Sequence, residues 1–136
     1  MAKEFINPAT LANWEQSFSQ IVVVSNGTSR TIYVSGQVAV DEGQNLVGAG
    51  DLSAQSMRAF QNLESALAAC GARTSDVVKL NIYVKGYQPA DAIPVSEALR
   101  KYFPHKPLPA STWLGVQSLA REGFLIEVDA VAVVEQ

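Results

Sequence analysis

The chain has 136 residues, of which 48 % are hydrophobic and only 17 % charged, with a net charge of -3. That size suits one domain spanning residues 1–136 with a real core, and the acidic balance argues against nonspecific binding of nucleic acid or anionic membrane. No apolar run approaches the roughly 20 residues needed to span a bilayer, and a charge share below the usual value of about 25 % predicts that some surface is covered by another subunit.

Residues up to about Phe18 show no clear period. Asn7-Pro8 marks a turn, while Trp14 and Phe18 are large enough that this arm is expected to pack. Gln20 to Val24 is a short apolar strand candidate, and Asn26-Gly27 supplies hairpin chemistry before a second strand, Arg30 to Gln37. In that strand Ile32 and Val34 face one way and Thr31, Tyr33, Ser35 and Gln37 the other. Asp41 to Gly50 is polar and Gly-rich, and reads as a loop. Asp51 is a suitable N-cap for a helix to about Cys70, with Met57, Phe60, Leu63, Leu67 and Cys70 forming one apolar stripe and Gly71 ending it.

Val77 to Lys85 alternates, with Val78, Leu80, Ile82 and Val84 inward and Lys79, Asn81, Tyr83 and Lys85 outward. A second helix begins near Pro94 and stops at Pro104, with Leu99, Tyr102 and Phe103 on its apolar side. From Pro109 to Val134 two extended runs flank a polar connector containing Gly123, which is a hairpin signal. The order is β-β-α-β-α-β-β, an α+β class. Two helices of this length cover one face of a mixed sheet of five or six strands.

Residues two apart on a strand share a face. Leu114, Val116, Ile126 and Val128 are assigned to the helix side with the apolar residues named above. The opposite face then carries Tyr33, Ser35, Gln37, Asn81, Tyr83, Ser111, Trp113, Gln117, Glu127 and Asp129. It is too aromatic for bare solvent and too polar for a dry core. A homo-oligomer with small-molecule sites between chains satisfies both observations. Glu127 and Asp129 are the most unusual pair, since neighbouring half-buried carboxylates repel. Glu127 reads either as a base that orients water or as a structural acceptor. Asp129 reads as structural, paired with Lys79 or another basic residue.

Cys70 is the only cysteine, so no internal disulfide forms, and a reducing, cytoplasmic setting is expected. The N-terminus lacks the layout of a signal peptide. One His and one Cys make a soft-metal site within the chain unexpected. His105 lies in a loop, and no serine has an evident His partner, which disfavours a Ser-His-Asp mechanism.

Phe18-Ser19-Gln20, Val34-Ser35-Gly36-Gln37, Asp76-Val77-Val78-Lys79 with Tyr83-Val84-Lys85, and Glu127-Val128-Asp129-Ala130-Val131-Ala132 together carry a resemblance. From Phe18 onward the chain resembles the Rid family (RidA/YjgF type, also labelled endoribonuclease L-PSP or translation initiation inhibitor). The resemblance implies a chorismate-mutase-like subunit, a homotrimer, and clefts between subunits. In the RidA branch these clefts hydrolyse 2-imino or enamino acids to 2-oxo acids and ammonia without a cofactor.

By the same resemblance Glu127 corresponds to the water-positioning glutamate, and Ser35-Gly36 to the pocket's Ser-Gly. Phe18 stands where RidA proteins have Tyr, Ser96 corresponds loosely to an Asn of the second helix, and Trp113 replaces a Cys common there. The arginine that grips the substrate carboxylate is Ser111 here. A bidentate guanidinium contact is not replaced by a neutral residue. The cleft is therefore expected to be acidic and free of arginine, taking a ligand that is neutral, cationic or flat and stacking. Arg121, Arg30 and Arg73 are the candidates to replace the missing anchor. These features imply a cofactor-independent hydrolase of an imine- or enamine-type substrate other than the simple 2-imino acids. The alternatives are a non-catalytic ligand-binding or regulatory trimer and, less well supported, a ribonuclease.

Overall fold

A computed structural model describes residues 1–136. Six strands and two helices form the chain: β1 (Ala2–Ile6), β2 (Ile21–Ser25), β3 (Ser29–Gln37), α1 (Leu52–Ala69), β4 (Val77–Lys85), α2 (Ala92–Tyr102), β5 (Ala110–Val116) and β6 (Ile126–Glu135). They build one sheet in the order β1-β2-β3-β6-β4-β5. β6 runs antiparallel to both β3 and β4, and β4 runs parallel to β5. β3-α1-β4 and β4-α2-β5 are thus two crossovers that step the same way along the sheet. Connections of one hand then place both helices on one face. No helix is long and apolar enough to cross a membrane.

The core lies between that face and the helices. Ile32, Val34, Leu80, Ile82, Ile126 and Val128 from the sheet meet Phe60, Leu63 and Leu67 from α1 and Val95 from α2, all buried. Asp51 caps α1 by accepting from the Ala54 N–H at 3.0 Å. Gly71, with φ of 72°, follows the helix in the left-handed conformation that its missing Cβ permits. Cys70 is buried, and burial pushes its thiol pKa up, so it is a packing residue rather than a nucleophile.

Five expectations are corrected. β1 is an edge strand that sequence pattern does not reveal, because most of its residues are exposed and no apolar alternation is needed. β5 and β6 do not form a hairpin: β4 lies between them, and residues 117–125 cross over the end of the sheet instead. The connector is fixed by Gln55, fully buried on α1. Its amide donates to the carbonyls of Gly48 and Gly123 at 3.1 and 3.0 Å and accepts from the Leu125 N–H at 3.0 Å.

The other three concern faces. A bulge between Val77 and Lys79 turns Val77 inward and leaves Val78 48 % exposed. A second bulge, between Val34 and Gln37, brings Gln37 into the interior, where it donates to the Gln20 side chain at 2.6 Å. On β5, Trp113 pairs with core-facing Ile82, and Leu114 pairs with Tyr83. Ser111 and Trp113 therefore lie on the helix side, and Leu114, 48 % exposed, lies on the open side. Leu114 and Val116 alternate on β5 as they would in a buried strand, yet the strand is an edge and these two lie on the open side while Trp113 packs against the core.

Gln55→Ala removes three hydrogen bonds without supplying partners. Stability is expected to fall by about 1–3 kcal/mol, read from urea unfolding, with faster amide exchange confined first to residues 117–125.

Candidate functional site

The bulge in β3 makes the site. It displaces Ser35 and Gly36 from regular pairing beside β6, where bulges commonly re-aim side chains. Ser35 is held at both ends: its N–H donates to the Gln20 carbonyl at 2.9 Å, and its hydroxyl donates to the Ser19 carbonyl at 2.6 Å. The hydroxyl proton is thus spent on the backbone, and the oxygen faces outward as an acceptor. Gly36 lies directly against Glu127, and a Cβ there would overlap the carboxylate, standing 2.6 Å from its Cδ. Glycine serves here by close approach, not by its dihedral angles: it leaves the Glu127 carboxylate in a position that any Cβ would displace.

Glu127 is half-buried on β6, opposite Tyr83. Its carboxylate has no hydrogen-bond or ion-pair partner within the chain; the one ion pair of the chain is Arg58 with Glu42. Its pKa is raised above the ordinary 4.5, first by burial and second by the charge of Asp129. Asp129 is structural: it accepts from the Asn81 amide at 2.8 Å. The expected pairing with Lys79 is corrected, because Lys79 donates to Thr112 Oγ1 at 2.8 Å. Two neighbouring carboxylates therefore have different surroundings, one satisfied and one free.

Glu127, Ser35 and Gly36 form one wall of a cavity of about 350 Å³. Phe18 and Trp14, stacked with centroids 6.3 Å apart, come from the arm before β2. Val38, Ala120 and Phe124 add apolar surface, and Arg121 lies among them. The expectation of an arginine-free hollow is overturned. Arg121 sits over the Trp14 ring at 5.0 Å and the Phe124 ring at 5.6 Å. Of the expected site residues, one chain brings Phe18, Ser35, Gly36 and Glu127 together. Ser96 lies on α2, and Ser111 and Trp113 lie on β5; none of them lines this cavity. Trp113 packs edge-to-face on Tyr87 at 6.1 Å, with its indole N–H buried and unpartnered. Trp14 and Phe124 were not anticipated as site residues. Their only signal was aromatic size in segments of no regular period.

A two-layer α+β chain thus carries an aromatic, acid-bearing cavity at a sheet bulge, a concave and largely apolar hollow of the kind that small-molecule sites use. The sequence profile of the family described as Endoribonuclease L-PSP matches residues 9–134. The chain belongs to this family, the Rid/YjgF family. It is 31 % identical over 118 residues to the 2-iminobutanoate/2-iminopropanoate deaminase of Dermatophagoides farinae, a match that covers 87 % of this chain and 86 % of the relative. Among solved structures, a putative endoribonuclease from Thermotoga maritima is 30 % identical with a TM-score of 0.84, covering 98 % of both chains. RidA from an Antarctic Psychrobacter is 25 % identical with a TM-score of 0.80, covering 96 % of this chain and 99 % of its own.

Two outcomes follow from the Glu127 environment. A carboxyl whose native pKa lies above its unfolded value binds its proton more tightly when folded. Native stability is then lost as pH rises from the unfolded value through the native one. Glu127→Gln is expected to raise the thermal midpoint at neutral pH, and the gain should vanish below the ordinary value of 4.5. Gly36→Ala should displace the Glu127 carboxylate while leaving the fold intact, seen as a shifted Glu127 titration in carboxyl carbon NMR.

Proposed function

We propose that this protein is a cofactor-independent hydrolase of C=N or enamine bonds, acting on substrates other than the simplest 2-imino acids. One observation carries the reading. Glu127 is a half-buried carboxyl with a raised pKa and no partner, set in a largely apolar cavity where water or substrate can meet it. A general base works best with its pKa drawn toward the working pH.

The step balances without a redox partner. Water oxygen bonds to the imine carbon as Glu127 accepts one water proton and passes it to the imine nitrogen, giving a neutral carbinolamine. The carbinolamine then collapses to a carbonyl: Glu127 accepts the hydroxyl proton, the C–N bond breaks, and the same proton is delivered to the departing nitrogen. The products are a ketone or 2-oxo acid and ammonia. Ser35 Oγ and the Gly36 backbone hold the substrate beside the carboxylate, and the Phe18 ring packs on its body. The deaminase named among the relatives acts on short imino acids; here Ser111 and an aromatic cavity support a bulkier or flatter substrate.

The working form is a homotrimer joined through the open sheet face. Tyr33, Val133 and Leu114 leave apolar surface on that face, which supports burial against another copy. Ser96, Ser111 and Trp113 then belong to the site only as contributions from a neighbouring subunit. The alternative, a non-catalytic ligand-binding trimer, is favoured by one feature, the Ser at position 111. Ribonuclease action is disfavoured by the net charge of -3 and by the lone His105, which lies outside the cavity.

Imines made in place by an amino-acid oxidase provide the test, with ammonia and 2-oxo acid release as the signal. The wild type should accelerate hydrolysis of the phenylalanine-derived imine more than that of the alanine-derived one. Glu127→Gln should lower kcat about a hundredfold or more. Unchanged turnover in that variant would leave only the binding function.

A further inference from the structure

We propose that Arg121 is the anion anchor of this cavity, that Gln44 positions it, and that together they select substrates joining a carboxylate to an aromatic or similarly flat body. This rests on the hydrolytic reading above only for the word substrate; the binding claim stands on geometry alone.

Arg121 has five N–H donors in a fixed fork. Nη1 donates to the Gln44 carbonyl at 2.8 Å, and Nη2 reaches Gln44 Oε1 at 3.3 Å. Three donors remain. No carboxylate pairs with the guanidinium. Its contacts with Trp14 and Phe124 are with ring faces, which orient a cation without neutralising it. An oriented, uncompensated guanidinium on the exposed rim of a partly apolar cavity is a receptor for a planar anion.

Gln44 supplies a second, independent observation. It is the only non-glycine residue of the chain with positive φ, at 68°. Such a conformation persists where the surroundings over-determine it, and it is a pointer to function. Asp41 fixes the turn by accepting from the N–H groups of Gly43 and Asn45, each at 2.9 Å. The turn then presents both oxygens of Gln44 to Arg121, while Gln44 Nε2 donates to the Asn13 carbonyl at 2.9 Å. One strained residue thus ties together the segment bearing Trp14 and the connector bearing Arg121.

Glu127 occupies the same cavity without pairing to Arg121. A ligand therefore meets two separate charged groups: its carboxylate on Arg121 and its reacting carbon by Glu127. The aromatic residues Phe18, Trp14 and Phe124 take the flat body.

The test is calorimetric binding of phenylpyruvate against phenylacetone, the same skeleton without the carboxylate. Wild-type protein should bind phenylpyruvate at least tenfold more tightly. Arg121→Gln should abolish that preference, bringing the affinity ratio of the two compounds to about one. Arg121→Lys, which keeps the charge but not the fork, should fall between. Gln44→Gly relieves the left-handed residue and removes the side-chain contact; it should weaken phenylpyruvate binding severalfold with Arg121 still present. Equal affinity of the wild type for both compounds, no binding of either, or full phenylpyruvate affinity in Arg121→Gln overturns the assignment. The hydrolytic reading fails separately. If the binding pattern holds but no ammonia is released, the anchor stands and catalysis falls. If Glu127-dependent hydrolysis proceeds with the same KM in Arg121→Gln, catalysis stands and the anchor falls.

Discussion

The contact between Gly36 and the Glu127 carboxylate is the constraint on which the site depends. β6 holds the middle of the sheet, bonded to β3 on one side and β4 on the other. A carboxylate on such a strand has little room unless a neighbour withdraws. β3 withdraws by bulging at Ser35-Gly36, and glycine removes the one atom that would still collide. The same bulge sends Gln37 into the interior, where Gln20 satisfies it, so the irregularity is stabilised by hydrogen bonds rather than left strained. Sheet pairing, a buried polar pair and an unpaired carboxyl are consequences of one local departure from regular register.

Much of the fold is legible because most elements announce themselves by period. α1 shows its stripe and its cap, and β4 and β6 show alternation. What escapes is phase and partnership. Alternation on β4 gives Val78 the inward position, but a bulge at its start reverses that one residue. Alternation on β5 is equally regular and its assignment is opposite to the observed one, because a two-residue period says which residues share a face and not which face is buried. The apparent hairpin fails for a related reason. Gly123 and polar neighbours suit a tight turn, but they suit equally a crossover pinned by Gln55, and nothing local distinguishes them.

The site divides along the same line. Phe18, Ser35, Gly36 and Glu127 are recognisable because they lie in or next to strands that carry the family's signatures. Trp14, Arg121 and Phe124 lie in segments of irregular backbone. They converge through hydrogen bonds between residues 31, 77 and 70 positions apart, made by Gln44 and Gln55. Two glutamine side chains, each satisfying backbone groups of distant loops, assemble the wall that periodicity cannot foresee. Arg121 is one of three arginines that the sequence offers as candidate anchors, and only the tertiary path of the connector separates it from Arg30, whose guanidinium donates to the Cys70 carbonyl instead.

An anchor on the connector rather than on β5, as proposed, would change what a second subunit has to contribute. Ser111 lies on an edge strand, on the helix side of the sheet, and two strands away from Glu127. A gripping residue at that position serves the Glu127 cavity only if another copy supplies it. Arg121 and Glu127 line one cavity within one chain. In the proposed trimer a ligand held between them would be oriented by one chain, and an adjoining subunit would close the open side and remove water. Exclusion of water strengthens the charge-assisted contact at Arg121 and raises the proton affinity of Glu127 further. Both changes favour the same bound species, an anion whose electrophilic carbon lies next to its carboxylate and whose flat body lies beyond it.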